Sequence, residues 1–184
     1  MGYLEVESQT LRDMIIRCTQ KLLSELKKKP TQEVSPKDPF WSWHANVFHI
    51  ERRKCVLITN DATLYTMFIP ALKKPDFQSF DFVFGQHLFK NLLHEEIPQN
   101  QIETVLSACE DIKYEKTNNR SVLGSMNDQK FRLEYFIQAE GGLASTGIYE
   151  LNYNLNRIRL SAIEYKHPIE LLRGKLQEIT YHGT

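Results

Sequence analysis

The chain has 184 residues, 41% of them hydrophobic, and 23 Lys and Arg balance 23 Asp and Glu to a formal net charge of +0. That describes one ordinary globular domain, long enough to bury its own core without staples. It excludes a strongly basic nucleic-acid coat and an acidic disordered tail as the overall character.

Residues 1–13 read as an N-terminal extension, and a single domain is expected over 14–180. Met14-Ile15-Ile16-Arg17-Cys18 is apolar and rich in strand formers, so a strand is predicted there. Thr19 then suits the N-cap of a short helix that turns Leu22, Leu23 and Leu26 inward and closes at Lys27, Lys28 and Lys29. Three prolines between Pro30 and Pro39 mark a loop. Residues 45–50 alternate in polarity, 55–59 form a β-branched run, and 64–69 read as a third strand ended by Pro70. The connectors Glu51–Lys54 and Asn60-Asp61 are short, which favours antiparallel neighbours and predicts a three-stranded meander.

The second half is mostly helical in pattern. Phe80, Val83, Phe84, Leu88 and Leu92 follow helical spacing within 77–93, although Gly85 interrupts it. Pro98 suits the first position of a helix carrying Ile102, Val105 and Leu106. Residues 112–117 read as a strand. Ser125 and Asp128 have capping-box spacing, so a helix is expected from there to Gly141-Gly142. Further helices are predicted over 148–156 and from Pro168 to about Ile179. The fold class is α+β: a small, mainly antiparallel sheet, the meander plus one or two further strands, packed with four to six helices.

Cys18, Cys55 and Cys109 are odd in number, far apart and outside any Cys-x-x-Cys pair. Buried thiols rather than disulfides are expected, in a cytoplasmic protein. There is no 18-residue apolar stretch and no basic region followed by an apolar core, so neither a membrane span nor a secretory signal is predicted. The glycine-rich nucleotide loops, His-Glu-x-x-His and Gly-x-Ser-x-Gly are all missing. His87 and His94 share a helical face but have no third ligand nearby, so no metal and no cofactor is expected.

Two polar clusters remain. The first lies on the meander: His44 and Asn46 at its entrance, Arg52, Arg53 and Lys54 at its first turn, and Thr59, Asn60 and Thr63 at its second. Guanidinium and ammonium groups neutralise phosphate, although solvated hairpin tips are often basic for no further reason. The second runs from Thr117 to Asp128 at a strand-to-helix junction, where free backbone N–H groups could meet an anion beside Asn119, Arg120 and Ser121. Helix capping accounts for Ser125 and Asp128 there but leaves Arg120 unexplained. Trp41 and Trp43 beside His44 could stack on bases, though tryptophans at such a boundary more often close a core.

Several runs resemble the bacterial family called domain of unknown function 6933. They are Arg17-Cys18-Thr19-x-Lys21-Leu22, Trp43-His44-Ala45-Asn46, Arg52-Arg53-Lys54-Cys55-Val56-Leu57 and Thr59-Asn60-Asp61-x-Thr63-Leu64-Tyr65. The most specific is Asn119-Arg120-Ser121-Val122-Leu123-Gly124-Ser125-Met126-Asn127-Asp128, and Leu155-Asn156-Arg157-Ile158 and Tyr165-Lys166-x-Pro168-Ile169-Glu170 fit as well. The resemblance covers about Met14 to Leu172. It implies a single bacterial, cytoplasmic domain and carries no activity with it.

The leading expectation is a non-catalytic binding module for a phosphate-bearing ligand, nucleic acid first among them. Arg52, Arg53, Lys54 and Arg120 would supply charge, and His44, Asn46, Asn119 and Ser121 directional hydrogen bonds. One alternative is a metal-independent enzyme acting on phosphate esters, with His44 as general acid or base and Arg53 and Arg120 stabilising the developing charge. The other is an interaction or homo-oligomeric scaffold protein, which an exposed patch of Phe40, Trp41 and Phe77 would favour.

Overall fold

The computed structural model describes residues 13–32 and 38–181. The expected extension over 1–13 therefore lies, apart from Asp13, outside the described residues. Five strands, β1 (Met14–Cys18), β2 (Ser42–Ile50), β3 (Arg53–Asn60), β4 (Thr66–Leu72) and β5 (Ile112–Lys116), form one sheet in the order β4-β3-β2-β1-β5. The meander β2-β3-β4 is antiparallel, as its short connectors require. The sheet is nevertheless mixed rather than mainly antiparallel, because β1 runs parallel to both β2 and β5. Helical segments lie in the connection from β1 to β2 and in the one that leads to β5, and long connections are what parallel neighbours need.

There are seven α-helices among the described residues, one more than the expected maximum: α1 (Gln20–Leu26), α2 (Lys74–Gln78), α3 (Phe80–His94), α4 (Gln99–Ser107), α5 (Arg120–Ala139), α6 (Ile148–Leu155) and α7 (Pro168–Tyr181). The run predicted as one helix over 77–93 is split at Ser79 into α2 and α3. β4 does not stop at Pro70: it continues to Leu72, with Ala71 at a positive φ of 55° absorbing the irregularity. The predicted capping box is also corrected. α5 starts at Arg120 under an Asn119 cap, so Ser125 and Asp128 lie inside the helix. Gly141 and Gly142, at positive φ, follow its end as expected.

Side chains alternate across the strands and build two cores. On one face Met14, Ile16, Trp43, Ala45, Val56, Ile58 and Tyr114 pack against α1, α2, α3, α4 and α7. On the other, Phe48, Cys55, Leu57 and Phe68 meet Val122, Met126, Leu133 and Ile137 of α5 and Leu151 and Leu155 of α6. Cys18 and Cys55 are buried free thiols. Trp41, Trp43, Phe40 and Phe77 are all buried, so the patch that a scaffold role called for is not on the surface. The outward side of α3 carries exposed apolar residues instead: Phe82, Phe89 and Leu93.

The β4 edge of the sheet is closed by side chains. Asn156 accepts from the Thr66 N–H at 2.7 Å and donates to the Thr66 carbonyl at 2.8 Å. Asn152 does the same for Phe68, at 2.9 and 3.3 Å. Four residues of helix rise about 6 Å and two residues of strand about 6.8 Å, so amides at Asn152 of α6 and at its C-cap Asn156 match alternate residues of β4. Both asparagines are fully buried. They satisfy backbone groups that would otherwise offer a template for a foreign strand.

Candidate functional site

A group of charged side chains is buried where β1, β2 and β5 sit side by side. Arg17 is in register with His44 on one side and Glu115 on the other. Strand alternation puts all three on the face away from α1. The Arg17 guanidinium donates to Glu115 Oε2 at 3.1 Å and to Asp61 Oδ2 at 2.9 Å. Asp61, in the β3–β4 turn, uses its other oxygen to meet His44 Nδ1 at 2.6 Å. Asn60 fixes that turn: its Oδ1 accepts from the N–H groups of Ala62 and Thr63.

The second ring nitrogen of His44 reaches into the β5–α5 connection. The N–H groups of Asn118 and Asn119 both point at Nε2, each at 3.3 Å. A nitrogen facing two donors must accept, so the ring proton sits on Nδ1 and is donated to Asp61. His44 is fully buried. It thus ties the β3–β4 turn to the start of α5 from beneath the surface.

This corrects the expectation of free backbone donors at the junction. Asn118 and Asn119 give their N–H groups to His44, and Ser121 and Val122 give theirs to the Asn119 side chain at 3.0 and 3.2 Å. What the junction offers outward is side chains: Arg120 and Ser121 are exposed. Asn46 is half-buried, and its Oδ1 accepts from the Thr19 hydroxyl at 2.9 Å. Thr19 therefore caps no helix with its side chain, although α1 starts where predicted.

The triple-basic turn lies elsewhere. β2 pairs with β1 only as far as Ala45 and then continues to Ile50, where Glu51 and Arg52 turn the chain at φ 48° and 64°. Both values are positive, as a tight two-residue hairpin requires. His44 and Arg53 are separated by six residues of strand, about 20 Å. Arg52 and Arg53 are exposed, whereas Lys54 is held by both oxygens of Glu25 at 2.7 and 2.8 Å. His44, Arg53 and Arg120 therefore do not line one cleft: Arg120 adjoins the His44 contact, and Arg53 stands at the far end of the hairpin.

The topology still gives these cations a common side. Because β2 runs parallel to β1 and β5, the carboxyl ends of all three point the same way. Lys21 in the first turn of α1, Lys116 at the end of β5 and Arg120 at the start of α5 lie at that end, and Arg52 and Arg53 lie in the same direction, about 20 Å further along β2. All five are exposed and make no ion pair with a described residue. β1 leads into α1 on one face and β5 into α5 on the other, so the chain diverges between these two strands. Such divergence points are where open sheets with parallel strands hold ligands.

His87 and His94 do share a face, and both rings lie against Tyr149, with centroids 6.2 and 6.5 Å away. Among the described residues no group of three His, Cys, Asp or Glu is placed to hold a metal ion. No helix there is long and apolar enough to cross a membrane.

Sequence reasoning singled out His44 but missed Arg17, Asp61 and Glu115. A charged residue inside the apolar run Met14–Cys18, in a strand with hydrophobic neighbours on both sides, was the available signal. One family model matches, over residues 15–171; its description is Domain of unknown function (DUF6933). No curated protein and no solved structure matches.

Proposed function

Starting from the chain's membership of that family, which its match over residues 15–171 establishes, we propose that the protein is a non-catalytic binding module for a phosphate-bearing polyanion, nucleic acid in the first place. The observation that carries this reading is the row of unpaired cations at the carboxyl end of the parallel strands: Lys21, Lys116, Arg120, Arg52 and Arg53. Their neighbours Arg17, Lys54 and Lys113 are by contrast neutralised by carboxylates of the same chain. Arg120 and the hairpin arginines stand at opposite ends of an interval of about 20 Å, which suits a chain of phosphates better than one small anion. Ser121 adds a hydroxyl donor beside Arg120. Asn46, Asn119, His44 and Lys54 support this surface through their internal bonds.

The enzyme alternative has less behind it. His44 has no exposed surface, both its ring nitrogens are engaged within the protein, and Arg53 is remote from it. A general acid must come within hydrogen-bond reach of its substrate.

Fluorescence anisotropy with a labelled single-stranded oligonucleotide and its duplex, across a salt series, tests the proposal. Binding is expected at low salt and should weaken steeply as salt rises. Arg120→Gln should lower the salt slope by about 1. No binding at low salt, or affinity indifferent to salt, refutes the reading.

A further inference from the structure

The sheet has an edge that no described residue closes. β1 stops pairing at Ala45, where the Ala45 carbonyl accepts the Thr19 N–H at 3.0 Å. That carbonyl points away from β3. By antiparallel alternation the N–H and C=O groups of Val47 and His49 point the same way, while Asn46, Phe48 and Ile50 bond to β3. Neither Val47 nor His49 has a backbone partner on that side among the described residues. The β4 edge, by contrast, has four backbone groups covered by Asn152 and Asn156.

Beside this free edge runs a groove of about 550 Å³. One wall is His49, Ile50 and Glu51; the other is Glu134, Ile137 and Gln138 of α5 with Gly141 and Gly142 beyond it. Ile50 and Ile137 give it an apolar floor. Its charged lining residues are Glu51, whose Oε1 accepts from the Leu143 N–H at 2.9 Å, and Glu134, whose Oε1 lies 3.3 Å from Lys130 Nζ; each keeps its second oxygen for a guest, and no cationic side chain lines the groove among the described residues. A strand edge facing a helix across a groove is the geometry in which an extended peptide adds to a sheet. Main-chain hydrogen bonds then supply affinity, and alternate side chains enter the groove.

We propose that the free edge of β2 and the groove between it and α5 dock an extended segment of a partner polypeptide, with an apolar side chain over Ile50 and Ile137 and a basic one beside Glu51 and Glu134. Backbone complementarity selects an extended chain over a helix. The acidic walls select a cationic sequence over an acidic one. This surface lies at the opposite end of α5 from Arg120 and adjoins the polyanion surface only at the hairpin, where Glu51 precedes Arg52; the proposal does not rest on polyanion binding.

Amide exchange and chemical shifts, read by NMR on the full chain, provide the test. The probes are a short peptide alternating valine and lysine, its glutamate counterpart, and a valine–lysine peptide with its alternate amides N-methylated. In the free monomer the Val47 and His49 amides should exchange rapidly. The valine–lysine peptide should slow both at least tenfold and shift the resonances of Ile50 and Gln138. N-methylation should cost at least tenfold in affinity, and the glutamate peptide should bind more weakly still. Gln138→Arg, at an exposed position, should weaken the valine–lysine peptide without altering the fold. Protection of both amides in the free monomer, equal binding of the two charge variants, or no binding at millimolar peptide overturns the proposal. So does protection that appears only with a rise in mass to a dimer, since a second copy would then occupy the edge.

Discussion

Replacing Asn152 by alanine tests whether the amide closure of β4 is an energetic feature of the fold. The side chain accepts from Phe68 N–H at 2.9 Å and donates to the Phe68 carbonyl at 3.3 Å and to Asn91 Oδ1 at 2.9 Å. Phe68 and Asn152 are fully buried and Asn91 nearly so, so water does not simply take over these bonds. Each buried polar group left without a partner costs about 1–3 kcal/mol, so the variant should lose about 2–5 kcal/mol. For a chain of this length that is a fall in Tm of about 5–15 °C. Urea unfolding followed by tryptophan fluorescence reads the loss. Asn154→Ala is the control on the same helix: its side chain is exposed, and its 3.3 Å bond to Glu150 should be worth under about 0.5 kcal/mol. The variant at Asn156 should behave like that at Asn152. Asn152→Asp keeps an acceptor for Phe68 N–H but loses the donor, so it should not restore stability. A loss below about 1 kcal/mol for Asn152→Ala would refute the account of the closed edge.

Two further substitutions probe the interior. Arg17→Met removes the guanidinium shared by Asp61 and Glu115 and leaves those buried carboxylates facing each other; chemical denaturation should show a loss of about 3–5 kcal/mol. His87 is lowered to about 4, first by burial and then by the charge on Lys90. The unfolded chain therefore takes up a proton near pH 6.5 that the folded chain refuses until about 4, so His87 makes stability fall as pH falls through that interval. Its imidazole resonances should titrate with a midpoint near the lower value, and His87→Gln should flatten stability against pH between the two; a midpoint near 6.5 in the folded protein would refute the assignment.

Most strands were legible because their cause is local. β-branched runs and two short connectors specify the meander, and pairing follows from connector length. The parallel partners of β1 have no local cause. Met14–Cys18 reads as a strand, but nothing in those five residues names β2 and β5 as neighbours. The order strand, helix, strand over 14–50 was the signal for a parallel crossover. The same distance hid the polar interior. Arg17, Asp61 and Glu115 each look like an isolated surface charge until register puts Arg17 between His44 and Glu115. His44 was recognisable as a polar group but not as a buried one. Asn152 and Asn156 left a mark of their own, two poor helix formers at i and i+4, the second at the C-cap, beside the buried Leu151 and Leu155. The start of α5 was misplaced because Ser125 and Asp128 imitate a cap, while Asn119, six residues earlier, accepts the first-turn N–H groups.

The strand β1 also sets a timetable. Arg17 and Glu115 are 98 residues apart in the chain, yet their strands are immediate neighbours. A ribosome adding about 5–20 residues each second needs about 5–20 s to make that interval. From Leu72, where the fourth strand ends, to Ile112 the nascent chain has four strands of the sheet and a vacant place beside β1. The sheet is filled only when its fifth strand arrives at a berth laid down about a hundred residues earlier, and the helices that cover its second face come later still.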